Sequence, residues 1–195
     1  MLKRNIGYLE VIAGPMYSGK TEELIRQVKR ATIGRKKVQV FKHRIDTRYG
    51  KDNNLHSHTG IKFKSDLVSS AAEILRKVKK STDIVAIDEA QWFGNKLIAV
   101  VQKLLDQKKH VVVAGLAMTF DRQPFVPIPQ LLALADKVNK LSAICSLCGA
   151  DAVFHKRINK DKSSVSALKP DPKFVAKLDL SIFQARCRKC YSKRP

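Results

Sequence analysis

Two short stretches of the chain carry residue types suited to phosphate chemistry. In Gly14-Pro15-Met16-Tyr17-Ser18-Gly19-Lys20-Thr21 the spacing is G-x-x-x-x-G-K-T. Backbone N–H groups of such a loop, with the N-terminus of the helix that follows, cradle the β- and γ-phosphates of a nucleotide. Lys20 neutralises charge there, and the Thr21 hydroxyl can ligate Mg²⁺. The loop identifies a phosphate donor and leaves the acceptor open. The second stretch, "DIVAIDEAQWF", is an apolar run ending in two acids. Asp88 suits the carboxylate that holds Mg²⁺, and Glu89 suits a general base taking the proton from an attacking hydroxyl. The lesser alternative for Glu89 is a surface residue starting a loop. Asp46 and Arg48, in "IDTRYG", could reach Mg²⁺ and a phosphate or form a salt-bridged turn.

All four cysteines fall in two C-x-x-C pairs, Cys145/Cys148 and Cys187/Cys190. Such a set is the ligand shell of a closed tetrahedral zinc site, which is structural because no coordination position stays open. The spacer between the pairs is 38 residues, longer than the roughly 15 to 20 of a common zinc ribbon. Ordering it would cost roughly 1 to 2 kcal/mol per residue, whereas a structural zinc contributes about 10 to 16 kcal/mol. The metal therefore pins the ends without ordering the middle. The expectation is a tethered lid, mobile between about Ile158 and Leu180 until a ligand binds. Trp92, Phe93, Phe120 and Phe125 follow apolar runs and could stack on a flat base or pack in the core. His43, His56, His58 and His110 have no ligand-like spacing and read as surface or core residues.

The elements that must position these groups alternate. Ile6 to Ala13 reads as a strand entering the glycine loop. Thr21 to Arg35 is a helix with Leu24, Ile25, Val28 and Ala31 inward. Val38 to Phe41 is a strand, residues 42–60 a long polar segment, and Ser69 to Lys80 a helix. Residues 83–88 form a strand, Lys96 to Gln107 a helix, and 110–115 a strand. Near-continuous β-branched strands between helices signal a parallel sheet covered on both faces. Ligands bind such sheets at the carboxyl ends of the strands, where the glycine loop, Asp88 and Leu116 would converge. The fold class expected is α/β, a P-loop parallel sheet with a RecA-like core, spanning 1–141. A small zinc-stapled lid would occupy 142–195.

Composition narrows the classes further. With 195 residues and 44% apolar content, the chain can bury one substantial core and a small second module. The start is too short and polar for a signal segment and no 18-residue apolar run follows, so the expected setting is the cytoplasm, with no membrane partner. The net charge of +21 invites a nucleic-acid partner. The excess is spread along the chain, however, and no basic run is interleaved with aromatics. Nucleic acid is therefore not the expected partner. The competing class is a nucleic-acid-stimulated ATPase with a zinc ribbon. A third is a nucleotide-binding scaffold in which Glu89 is idle.

Taken together, "GPMYSGKT", "DTRY", "SHTG", "DEAQWF", "GLAMTFDRQPF" and the terminal "CRKCY" resemble the type II thymidine kinases, the zinc-containing cytosolic class, in order and through essentially the whole chain. The resemblance implies transfer of the γ-phosphate of ATP to the 5′-hydroxyl of thymidine, a salvage reaction. It also implies a homotetramer inhibited by thymidine triphosphate. It makes Glu89 the proton acceptor, with Lys20 and Arg48 on the transferred phosphate. Asp88 and Thr21 fall at the Mg²⁺ site with Asp46 nearby, and the ATP site runs from Gly14 to Thr21 and again from Asp88 through Ala90 and Gln91. The thymine pocket falls on Trp92, Leu116, Phe120 and Phe125, joined by His155, Phe183 and backbone groups of the cysteine-tethered loop, called the lasso. Three positions depart from the family pattern. Ala117 stands for the Asp of "GLD", Phe183 for a Tyr, and His155 for a small hydroxyl residue. These bear on base and sugar selectivity, since a lost hydroxyl partner in a closed pocket costs about 1 to 3 kcal/mol.

Overall fold

A computed structural model describes residues 6–46, 54–56, 62–158 and 182–192. Strand β1 (Tyr8–Gly14) runs into the glycine loop and helix α1 (Lys20–Ile33), followed by β2 (Val38–His43). A short antiparallel pair, β3 (Asn54–His56) and β4 (Lys62–Lys64), precedes β5 (Asp66–Val68) and α2 (Ala71–Lys77). Then come β6 (Ile84–Asp88), a 3-10 turn over Ala90–Phe93, α3 (Lys96–Asp106), β7 (His110–Leu116), α4 (Ile128–Leu134) and β8 (Lys137–Lys140). Six strands form one sheet in the order β5-β2-β6-β7-β1-β8, every neighbouring pair parallel. The expected α/β sheet is what forms, and β7 lies between the glycine-loop strand and the acid strand, as in a RecA-like core.

Both faces of this sheet are covered, so the central strands are apolar almost throughout rather than alternating. Along β1 the side chains still divide by turns. Leu9, Val11 and Ala13 pack with Leu97, Val101, Leu104, Ile74 and Ile128 of the helices on one face. Ile12 packs with Leu24, Ile25 and Val28 of α1 on the other. Register then fixes the site edge: Gly14 pairs with Leu116 and Lys42 with Asp88. The carboxyl ends of β1, β2, β6 and β7 therefore come level.

Helix α2 is shorter than the apolar pattern suggested. Ser70 caps it, its hydroxyl accepting from Glu73 N at 3.3 Å while Glu73 accepts from Ser69 N at 2.8 Å, in the manner of a capping box. At the other end Gln39 of β2 accepts from Lys79 N and from the Thr82 hydroxyl, which draws the chain off the helix axis after Lys77. Helix α4 and strand β8 carry no clear pattern in the sequence. Pro127 and Pro129 punctuate the start of α4, where a missing N–H costs nothing. Strand β8 is an exposed edge of mostly polar residues, anchored where Asp136 donates its N–H to Leu9 O and accepts from Leu9 N.

The cysteine region consists of two small antiparallel pairs. Strand β9 (Ala143–Ile144) pairs with β10 (Asp151–Ala152), and β11 (Phe154–Arg157) with β12 (Phe183–Arg186). Its buried cluster is Ala143, Cys145, Ala152, Ala185, Cys187 and Cys190. Most of the polar segment 42–60, with Arg48, and residues 159–181 between the cysteine pairs lie outside the described residues. The lid and lasso expectations fall on that second stretch.

Candidate active site

The glycine loop begins where β1 has no room for a side chain. A Cβ on Gly14 would lie 2.5 Å from Ser18 Oγ and 2.8 Å from Leu141 O. Tyr17 (φ 68°) and Gly19 (φ 77°) both adopt left-handed backbone, which wraps the loop around the N-terminus of α1. In such wrapped loops successive N–H groups converge on an anion. The Pro15 carbonyl accepts from Lys20 Nζ at 2.6 Å and from Ser18 Oγ at 2.9 Å. Both donors are thus held at the mouth of the loop, where the phosphates of a nucleotide would meet them.

Thr21 Oγ1 donates to Asp88 Oδ2 at 3.1 Å. Adjacent oxygen ligands of Mg²⁺ at 2.0–2.1 Å lie about 3 Å apart, so the pair fits two corners of its octahedron. Asp88 and Glu89 are 4% and 7% exposed. Glu89 is held in left-handed backbone (φ 50°, ψ 44°) at the end of β6, a conformation that costs of order 1 kcal/mol or more and is found at functional sites. Gln91 Nε2 donates to Glu89 Oε2, and Gln91 Oε1 accepts from Leu116 N at 3.1 Å. Lys42 Nζ lies 3.2 Å from Asp46 Oδ2, both side chains buried. Lys42 was not among the expected site residues. Its signal is faint: one lysine at the polar end of an apolar strand.

A second group of side chains closes over this edge from the cysteine region. The Phe183 ring lies 5.9 Å from Phe120 and 5.9 Å from His155, centroid to centroid. Trp92 and Phe125 meet edge to face at 6.0 Å, and Trp92 Nε1 is buried with no hydrogen-bond partner among the described residues. Tyr17 of the glycine loop donates to Phe183 O at 3.1 Å, and Tyr191 donates to Phe120 O at 2.5 Å. The Arg122 guanidinium sits 4.4 Å from the Tyr191 ring centroid. Burial, and then the charge of Lys20, lower the pKa of His155 to about 4, so the imidazole is neutral. His155 thus sits within the field of the phosphate-loop lysine although 135 positions separate them in sequence.

Phe93 departs from the other aromatics. It packs in the core against His43, ring centroids 4.8 Å apart. Ala90 is likewise core. Met16 is buried, and Ala117 packs against the core with its carbonyl accepting from Phe125 N at 3.1 Å. His110 meets Tyr8 edge to face, ring centroids 5.1 Å apart, away from the site edge at the start of β7. Tyr191 had no advance signal beyond following the last cysteine.

One ligand atom from each of Cys145, Cys148, Cys187 and Cys190 falls within 4.8 Å of the others. Four thiolates at about 2.3 Å from a tetrahedral zinc have edges of about 3.8 Å, and Cys148 Sγ lies 3.7 Å from Cys187 Sγ. The donor set therefore fits a structural zinc. Backbone hydrogen bonds, that to Cys187 first, lower the Cys145 thiol to about 6, while burial first raises Cys190 to about 12.

A glycine loop ahead of α1, an acid pair ending β6 and a strand between them define a P-loop α/β protein, here carrying a four-cysteine region. The family model described as thymidine kinase matches residues 7–191. The chain belongs to the thymidine kinase family, and so to a family of kinases. Among solved structures, domain III of the replication initiation protein DnaA from Thermotoga maritima aligns over 69% of this chain and 55% of its own, with 15% identity and a TM-score of 0.41. The chain thus spans about half the length of that structure, and the likeness is too distant to bear on function. Among the described residues no helix is long and apolar enough to cross a membrane.

Proposed function

We propose that this protein is an ATP-dependent thymidine kinase, transferring the γ-phosphate of ATP to the 5′-hydroxyl of thymidine to give thymidine monophosphate. The observation that carries the reading is the buried Glu89 carboxylate. It is turned out of β6 beside Asp88, on the same sheet edge as the glycine loop. In the proposed reaction Glu89 takes the proton of the 5′-hydroxyl. A lone pair of the nucleoside 5′-oxygen forms the new bond to the γ-phosphorus, and the bond from that phosphorus to the β–γ bridging oxygen breaks, its electron pair leaving with ADP. Lys20 and Arg48 balance the charge on the transferred group. Thr21 and Asp88 would hold Mg²⁺ with Asp46 nearby, and the metal supplies further neutralisation of the triphosphate.

His155 and Phe183 line the nucleoside side with Leu116, and the neutral imidazole can offer the base a hydrogen bond. Residues 1–141 and 142–195 act as two domains, the second a zinc-stapled lid. The working state is a cytoplasmic homotetramer, with thymidine triphosphate as feedback inhibitor. Water exclusion by the lid keeps the γ-phosphate for the nucleoside.

The test is ADP release by the zinc-loaded protein with thymidine, with other nucleosides, and with single-stranded DNA. Thymidine is expected to stimulate release, and Glu89→Gln to lower turnover by roughly a hundred- to ten-thousandfold while ATP binding stays nearly unchanged. Stimulation by DNA alone, or most of the turnover surviving in Glu89→Gln, overturns the reading.

A further inference from the structure

We infer that the β11–β12 hairpin carries an anion site on the face opposite His155 and Phe183, with Arg186 as its principal ligand and a phosphate-class oxyanion as its occupant. This site does not depend on the thymidine reading. Register divides the hairpin into two faces, because directly opposed residues of an antiparallel pair project to the same side. His155 and Ala185, with Arg157 and Phe183, share one face; Phe154 and Arg186, with Lys156 and Gln184, share the other. On that second face Arg186 is 0% exposed, the largest fully buried side chain among the described residues. Its Nε, Nη1 and Nη2 have no hydrogen-bond partner among those residues. A guanidinium keeps its charge and offers only donors. Buried without a counter-charge or water, it is among the costliest arrangements in a protein interior. An anion removes that cost, and the planar fork matches two oxygens of a tetrahedral oxyanion.

The neighbouring charges favour an occupant with more than one negative charge. Phe154 on this face meets the Tyr191 ring at 5.5 Å, and cations gather around both rings. Arg188 Cζ lies 5.1 Å from the Phe154 centroid, and Arg122 Cζ 4.4 Å and Lys156 Nζ 5.7 Å from that of Tyr191. The carboxylate acting on Tyr191 is Asp121, which accepts from the Thr119 hydroxyl. Cations therefore outnumber acids around these rings, which suits a phosphate better than a chloride or a single carboxylate. Lys156 and Gln184 are partly exposed, so the face opens to solvent two residues along from Arg186. Part of the net charge of +21, which phosphoryl transfer does not use, acquires a role here. The phosphate group can come free or carried on a nucleotide.

The experiment uses the zinc-loaded protein with its glycine loop filled by a non-hydrolysable ATP analogue, so that added phosphate cannot bind there. Calorimetric titration with inorganic phosphate, at constant ionic strength in chloride, tests the free anion. Equilibrium dialysis with excess analogue tests for a second nucleotide per chain. The parent is expected to bind one of the two saturably, and which one identifies the source of the phosphate. Arg186→Leu should weaken that binding by roughly tenfold or more, and Arg186→Lys, which keeps the charge but loses the fork, by less. Urea midpoints supply a readout of opposite sign. In chloride alone Arg186→Leu should be at least as stable as the parent, since it removes an uncompensated charge, whereas phosphate should raise the parent's midpoint and leave the variant's in place. A merely structural arginine would instead cost the variant the same stability in both salts, and that result rejects the site. So does a parent that binds neither probe, or an Arg186→Leu that binds as the parent does. If Arg186→Leu does not fold, undiminished affinity in Arg186→Lys rejects the site in its place.

Discussion

The phosphate edge of the sheet and the four-cysteine region are built on opposite physical terms. The sheet positions Gly14, Thr21, Asp88 and Glu89 by strand register between two apolar layers of leucine, isoleucine and valine. Burial of that kind contributes about 25 cal/mol per Å² and depends on nothing outside the chain. The buried cluster of the cysteine region is three alanines and three cysteines, and Phe154 and Phe183 are the larger apolar side chains buried among its described residues, little apolar surface to order two short hairpins by itself. The difference teaches that, on the proposed reading, the donor half of the site is held unconditionally, whereas His155 and Phe183 would be held only while a metal bridges the four cysteine thiolates. Chelating the zinc, or Cys190→Ser, should therefore have the largest effect: turnover lost by more than about a hundredfold, as expected when about 10 to 16 kcal/mol of metal binding is removed. ATP affinity should change little. Circular dichroism would report the sheet, and nucleotide titration the donor site. Loss of both together would abolish the distinction between the two regions.

A smaller perturbation probes the seam between them. His155 belongs to β11 yet feels Lys20 of the glycine loop, and its pKa is about 4 against an ordinary 6.5, from burial first and that lysine second. The unfolded chain therefore takes up the proton before the folded one does. Stability from this source is complete above about pH 6.5 and is lost as the pH falls toward 4. By pH 5 the loss should reach about 2 kcal/mol, above the range in which most carboxylates titrate. Urea denaturation of the zinc-loaded protein at pH 7.5 and pH 5, with His155→Leu beside it, measures the term. A parent and a variant that lose equal stability would show that the fold does not hold this imidazole neutral.

How much of this was legible in the chain depends on how far each signal reaches. Strands β1, β6 and β7 and the helices between them announce themselves because a sheet covered on both faces needs continuous apolar runs. The glycine loop and the Asp88-Glu89 pair follow from short spacings. The cysteine cluster followed from two local pairs, and its sulfur atoms do converge. Helix α4 and edge strand β8 were not legible, since prolines mask the one and exposure removes any apolar pattern from the other. Nor were the contacts that complete the site. Lys42 meets Asp46 on a strand end, Gln91 reaches Leu116 across 25 positions, and Tyr17 reaches Phe183 across 166. Such pairs have no periodicity to read; they exist only once the sheet order has brought their elements together.

Those last contacts allow the finest test of the comparison. Two hydroxyls cross the seam in opposite directions. Tyr17, from the glycine loop, donates to Phe183 O, and Tyr191, from the cysteine region, donates to Phe120 O beside the sheet. The Tyr191 hydroxyl is the stronger candidate. Its bond is shorter, its ring lies under the Arg122 guanidinium, and its own carbonyl accepts from Lys156 Nζ at 2.9 Å. Removing one neutral hydrogen bond costs about 1 kcal/mol. Tyr191→Phe should therefore raise the thymidine KM by up to roughly fivefold and leave ATP affinity unchanged. Tyr17→Phe should do less, since Tyr17 is 41% exposed and water can replace its partner. If the cysteine region moves against the sheet as one body, each bond limits the same displacement and the two losses will not add. A double variant whose effects on KM multiply would mean that each tyrosine anchors its own residue, and that the seam is a set of separate contacts rather than a single joint.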